Sequence, residues 1–252
     1  MRIFRCGKTL PLFLLLLLLW QWAAQSGLWS TYVLPSPQQV GSSLLKMLQN
    51  GSLWKHLSIS LLRVLEGFSL SCLLTLLLTL LAALRSQMVP YYSRFLSGLR
   101  HIPPLSLIPL FILWFGIGEA PKIILIVLSS IFPILLNTES GIFGCDPKLI
   151  EVGKTFGFSR RQIFFRIMLP NAVPDILVGL RLGLGYGWRA IVGAEMIAAT
   201  SGLGYLILDA QAMSRTDQVI ACVLVIAAVG LLCDAVCERA ERRVRRRRDR
   251  GE

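Results

Sequence analysis

Few residues in this 252-residue chain are spaced for bond-making chemistry. Gly153-Lys154-Thr155 imitates the end of a phosphate-binding loop, whose pattern is G-x-x-x-x-G-K-[ST]. The first glycine position is Lys148 and no strand-like run precedes it, so backbone amides cannot converge on a phosphate. The six cysteines (6, 72, 145, 222, 233 and 237) form no C-x-x-C and no metal-ligand spacing, and four lie in or beside apolar runs where Cys acts as a small hydrophobe. Cys6 precedes the first apolar segment and so cannot be a lipoprotein cleavage site. His56 and His101 stand alone at opposite ends of apolar runs and read as interfacial polar groups. No catalytic residue, metal site or cofactor is expected. Glu66, Glu139 and Glu195, on apolar segments, are what a proton or sodium relay would need, so an ion-gradient-driven secondary carrier is the alternative to the reading below.

The most organised polar stretch is Ile150–Pro170, IEVGKTFGFSRRQIFFRIMLP. Asp146 and Pro147 just upstream read as an N-cap and first helical residue. Gly157 reads as the left-handed stop of that short helix. Ser159 and Gln162 form an S-x-x-Q capping box that starts a second helix, which Leu169-Pro170 is expected to end. The pattern predicts a helix-turn-helix too charged to lie inside a bilayer.

What surrounds this island is apolar: 54% of residues are hydrophobic and only 16% charged, and several runs approach or exceed the roughly 20 residues that cross a bilayer. The runs are continuous rather than alternating, which excludes a β-barrel. The expected fold is an all-α polytopic membrane protein with about six transmembrane helices. The run Leu10–Ala24, after Arg2, Arg5 and Lys8, reads either as a signal peptide or as an uncleaved first span slightly short of full length; the family resemblance given below favours the uncleaved span. Ser26–Leu57 is a connector in which Val40, Leu44, Met47 and Leu48 make the stripe of a surface helix ended by Asn50-Gly51. The second span is Ser58–Leu84, where Arg63 and Glu66 share a face and are expected to pair near the outer end. Arg85–Arg100 reads as an interfacial helix. The third span, Ile102–Gly118, is short and carries Pro103, Pro104 and Pro109, a pattern that points by analogy to a translocation path.

The fourth span is Ile123–Phe143 with Pro133 as a kink, and the fifth Ala172–Thr200. On the fifth, Gly179, Gly183 and Gly187 recur every four residues and predict close helix packing. It also carries Arg181 and Arg189. An arginine at mid-membrane costs about 2.5–3.5 kcal/mol, so both should face partner helices, a cavity or headgroups. Tyr205–Thr216 reads as a surface or re-entrant element, and Val219–Val236 as the sixth span. Eight arginines lie between 239 and 250, a tail that stays in water and meets anionic lipid rather than nucleic acid. With the amino terminus inside, the inner segments 1–8, 85–100, 144–170 and 238–252 hold 19 of the 26 Lys/Arg and the outer ones four. The positive-inside rule therefore puts both termini and the polar island in the cytoplasm.

The run Glu151-Val152-Gly153, Gly157, Ile167, Leu169 and Pro170 resembles the EAA loop of type I ABC importer permeases, whose pattern is E-A-A-x3-G-x9-I-x-L-P. Val152 and Gly153 stand where the family has alanines. Segments SLLRVLEGF, IPPLSLIPLFILWFGIGE, FPILLNT and SGLGYLILDA are similar to the nitrate, taurine and aliphatic sulfonate subgroup, and the likeness spans roughly residues 30 to 240. This resemblance implies the type I ABC importer permease fold in a bacterial inner membrane. It also implies a loop that inserts into a groove of a cytoplasmic ABC ATPase dimer, a periplasmic or tethered solute-binding protein, a permease homodimer, and a small oxyanion as solute. In that scheme Gly157 supplies the turn, Glu151 a polar anchor and Leu169-Pro170 a rigid exit. Residues 1–57 would be an N-terminal span and outer connector, 58–237 the permease domain with its coupling loop at 144–170, and 238–252 the basic tail. ATP hydrolysis would belong to the partner subunit, not to this chain.

Overall fold

The structure is a computed structural model, and it describes residues 6–84 and 98–249. The expected interfacial helix at 85–100 therefore falls mostly outside the described residues. Helix α1 spans Cys6–Gln25, α2 Pro37–Gln49, α3 Ser52–Leu84, α4 Ile108–Phe115, α5 Glu119–Phe143, α6 Pro147–Thr155, α7 Arg160–Ile163, α8 Leu169–Ala198, α9 Leu203–Ala212 and α10 Thr216–Asp249. A 3-10 turn at Pro104–Leu107 leads into α4, and a π turn at Phe164–Met168 joins α7 to α8. No strand occurs among the described residues.

Among the described residues four stretches are long and apolar enough to cross a membrane: Ser52–Ala83, Glu119–Phe143, Arg160–Ile197 and Thr216–Val244. The other two expected spans are helical but shorter, Pro11–Gln25 and Pro104–Phe115. Two sequence expectations need correcting here. The helix entering at Ser159 does not end at Leu169-Pro170 but runs on into α8. Proline lacks an amide donor and its ring crowds the carbonyl four residues back. The π turn, in which the Leu169 amide bonds Phe164 O five residues back, lets the chain pass that site without breaking. The helix carrying the sixth span likewise does not stop near Val236: the candidate span reaches Val244, and α10 continues through the basic residues to Asp249. Arg and Glu are good helix formers, and Arg242 pairs with Glu238 one turn back at 2.5 Å.

The chain divides into two compact units, residues 1–59 with 200–228, and residues 60–199 with 229–252. In the first, α2 starts at a capping box in which the Ser36 amide donates to Gln39 Oε1 at 2.8 Å, and its stripe buries Val40 and Met47. The indole of Trp20 donates to Pro35 O at 3.0 Å, and Ser43 Oγ bonds the Asp217 carboxylate. His56 accepts the Gly202 amide at its Nδ1, 3.0 Å away, and stacks on Tyr205, so its polar atom is engaged by the fold.

In the second unit the core lies between α5 and α8. A Cβ added at Gly179 would sit 2.9 Å from Asn137 Cβ, at Gly183 2.5 Å from Ile134 Cγ1, and at Gly187 2.6 Å from Ser130 Oγ. All three glycines therefore face α5, Gly179 and Gly183 against its backbone carbonyls and Gly187 against the Ser130 and Ile126 side chains, and Ser130 Oγ donates to Gly183 O at 3.0 Å. Gly67 meets Ile126 in the same way from α3.

Candidate functional site

The segment 144–170 is built by local rules. The Asp146 carboxylate accepts the Lys148 amide at 2.9 Å, capping α6 at its start, and Pro147 occupies the first turn, where a missing amide costs nothing. At the other end Gly157 has φ +73°, the left-handed region. Its amide bonds Lys154 O at 2.9 Å and the Phe158 amide bonds Gly153 O at 3.0 Å, the paired bonds of a Schellman stop. Ser159 and Gln162 then cap each other, the Ser159 amide donating to Gln162 Oε1 at 2.8 Å and the Gln162 amide to Ser159 Oγ at 3.3 Å.

Gly153 is buried, and a Cβ there would lie 2.6 Å from Ile167 Cδ1 and 3.3 Å from Ile163 Cγ1. The missing side chain at 153 and the presence of Ile167 are thus two halves of one contact, which closes α6 onto the turn before α8. Arg166 lies over the Phe158 ring at 5.6 Å and Arg161 over Phe165 at 5.9 Å. The opposite face is bare: Leu149, Val152 and Phe156 are 45%, 51% and 75% exposed at helical spacing on α6 and its end, and Glu151 is exposed beside them. Leu169 is half-buried and Pro170 exposed where the segment enters α8.

The charged residues on the membrane helices fall into separate groups. Arg63 is 5% exposed on α3, and its partner is not Glu66, which lies exposed. Its Nε and Nη2 donate to the two carboxylate oxygens of Glu119 at 2.5 and 2.6 Å, and its Nη1 donates to Glu195 Oε1 at 2.8 Å. Ser60 Oγ lies 2.8 Å from both oxygens of the fully buried Glu195, and Lys122 Nζ reaches Glu119 at 2.9 Å. Two cations and two carboxylates thus join α3, α5 and α8, and Glu195 belongs to this set rather than to an open relay. Lys122, counted among outer-side cations, is buried in this cluster. Arg181 forms a fork to Asp234 of α10 at 2.6 and 2.7 Å, with Glu241 at 3.5 Å. Arg189 donates from Nε to Gly185 O at 3.0 Å and stacks over Tyr186 at 4.7 Å. Sequence reasoning missed Glu119 and Asp234 as partners. The signal available was that an arginine on an apolar helix needs protein or water to face, and a carboxylate elsewhere in the chain is one such partner.

Residues 75–246 match the family of binding-protein-dependent transport system inner membrane components. One relative, named "Putative aliphatic sulfonates transport permease protein SsuC" in Bacillus subtilis, is 39% identical over 94% of this chain and 86% of its own length. The taurine transport system permease protein TauC of Escherichia coli is 35% identical over 91% of this chain and 85% of its own. A chain from the MetNI methionine ABC transporter in an inward-facing conformation shares the fold at TM-score 0.64 and 17% identity, over 79% of this chain and 97% of that one. The chain therefore belongs to the binding-protein-dependent transport system inner membrane components, as the permease of an ABC importer.

Proposed function

We propose that this permease moves a small oxyanion-bearing solute of the sulfonate, taurine or nitrate class across a bacterial inner membrane, and that residues 144–170 couple it to ATP hydrolysis on a partner. Family membership brings a cytoplasmic ATPase and an external solute-binding protein as partners; the solute class rests on relatives named for aliphatic sulfonates and taurine. The reading takes two copies of the chain as the permease pair, both termini in the cytoplasm, and the basic tail on anionic lipid.

The observation that carries the coupling role is the bare apolar stripe Leu149–Val152–Phe156 on a rigidly capped element that continues into a membrane helix. An exposed apolar patch on a charged segment is unfavourable in water and marks a protein contact. The stripe would enter the ATPase groove with Glu151 anchoring its edge. Gly153 and Ile167 would keep α6 fixed to the turn, Gly157 would set the reversal, and Leu169-Pro170 would transmit displacement to α8. Closure of the ATPase dimer would then tilt α8, and Gly179, Gly183 and Gly187 would carry α5 with it as one body. Gly157→Pro tests this, because proline's φ near −65° cannot meet +73°. The expected variant inserts normally yet loses ATP-driven uptake in whole cells; uptake at the parental rate would remove the coupling assignment.

A further inference from the structure

A cavity of about 590 Å³ lies at mid-helix depth in the second unit, against the middle of α5 and the later half of α8. Its size falls within the roughly 300–1,000 Å³ of small-molecule sites. Arg100, His101 and Arg189 line it together with the hydroxyls of Ser129 and Tyr186. No carboxylate lines it among the described residues, and the sequence from 85 to 97, just before Arg100, contains no Asp or Glu. The remaining wall is apolar, with Leu128, Phe132 and Leu136 along one side. This differs from the other membrane arginines described, since Arg63 and Arg181 are each neutralised by acidic partners.

An arginine on an apolar helix is tolerated where it faces protein or a water-filled cavity, and in that setting it marks a solute path. Arg189 is positioned for an anion: its Nε–H donates to Gly185 O and its guanidinium carbon lies 4.7 Å from the Tyr186 ring centroid, which leaves the Nη donors without a carboxylate among the described residues. A planar guanidinium so placed suits two oxygens of one anion. We infer that this cavity is an anion site on the solute path, where Arg189 and Arg100 take the charged head of an aliphatic sulfonate or related oxyanion and Leu128, Phe132 and Leu136 take its apolar part. The inference rests on the oxyanion reading above and adds the residues that would select for it. It also gives the permease a part in choosing solute, beside the external binding protein.

The test uses the complete transporter, permease with its ATPase and binding protein, in proteoliposomes, with labelled ethanesulfonate, taurine and nitrate as probes. Wild type should take up at least one probe with ATP. Arg189→Gln, checked for co-purification with the ATPase, should lower that uptake roughly tenfold or more, as loss of a charge-assisted bond requires. Arg189→Lys should restore part of it, and Lys55→Gln, which removes an exposed cation elsewhere, should stay within about twofold of wild type. Should Arg189→Gln fail to assemble, Ser129→Asp decides, because a carboxylate placed in the cavity should block uptake. Wild-type uptake by Arg189→Gln, or by Ser129→Asp in that case, overturns the anion site while leaving the oxyanion reading standing. ATP-driven uptake of none of the three probes by wild type overturns both.

Discussion

Arg63 shows how a leucine-rich helix keeps an arginine. Its guanidinium uses three donors on two carboxylates, one wholly buried and one 57% exposed, so the charge is matched without being sealed from water. Removing one member of a buried pair leaves the other charge uncompensated, at about 3–5 kcal/mol. Glu195→Gln should therefore lower the thermal midpoint of the detergent-solubilised permease strongly. Glu119→Gln should cost less than Glu195→Gln, because the Glu119 carboxylate is itself more than half exposed, yet it should still be clearly destabilising, because it leaves the buried Lys122 ammonium without its carboxylate. Equal shifts from the two variants would mean that burial is not what makes this cluster strong. None of it could be read locally. The sequence offered Glu66, three residues away on the same helix, whereas the real partners are 56 and 132 residues away. Pairing across that separation is decided by how helices pack, which no spacing rule encodes.

At the scale of elements, α5 and α8 touch through positions with no side chain. Gly183→Val would press branched carbons against Ile134 and against Ser130 O, a backbone atom that cannot turn aside. Overpacking of this kind costs about 1–3 kcal/mol. Gly185→Ala, two residues on, meets only Arg189 Nη2 at 3.7 Å and should be neutral or stabilising by about 0.5–1 kcal/mol. Size-exclusion recovery after graded heating would separate the two; similar recovery would contradict the packing.

The short-range grammar of residues 144–170 was legible because caps act over a few residues: Asp146, Gly157, and Ser159 with Gln162 all appear as bonds. What misled was Pro170, read as an end because proline lacks a donor. The structure meets that lack with one π turn among Phe164–Met168, a solution that leaves no local sequence mark. The length of α10 was hidden for a related reason. The run of charge after Val236 marks the end of an apolar stretch and carries no sign of whether the helix itself continues.

For the whole molecule, composition settled the class early, since continuous apolar runs leave only membrane helices. The described helices bear this out by how they expose themselves: Leu73, Leu76, Leu81, Leu231 and Leu232 are all outward and more than half uncovered, surface that only lipid or another subunit can satisfy. Against that background the exposed stripe on residues 149–156 differs, because it lies in a polar segment and so calls for protein rather than lipid. The most direct measurement replaces Phe156 with a photo-reactive phenylalanine analogue in the assembled transporter. On illumination, the account predicts a covalent adduct with the ATPase subunit, changing in yield between nucleotide-free and ATP-bound states. A transporter that still imports its solute, yet yields no ATPase adduct from position 156 in either state, would contradict it.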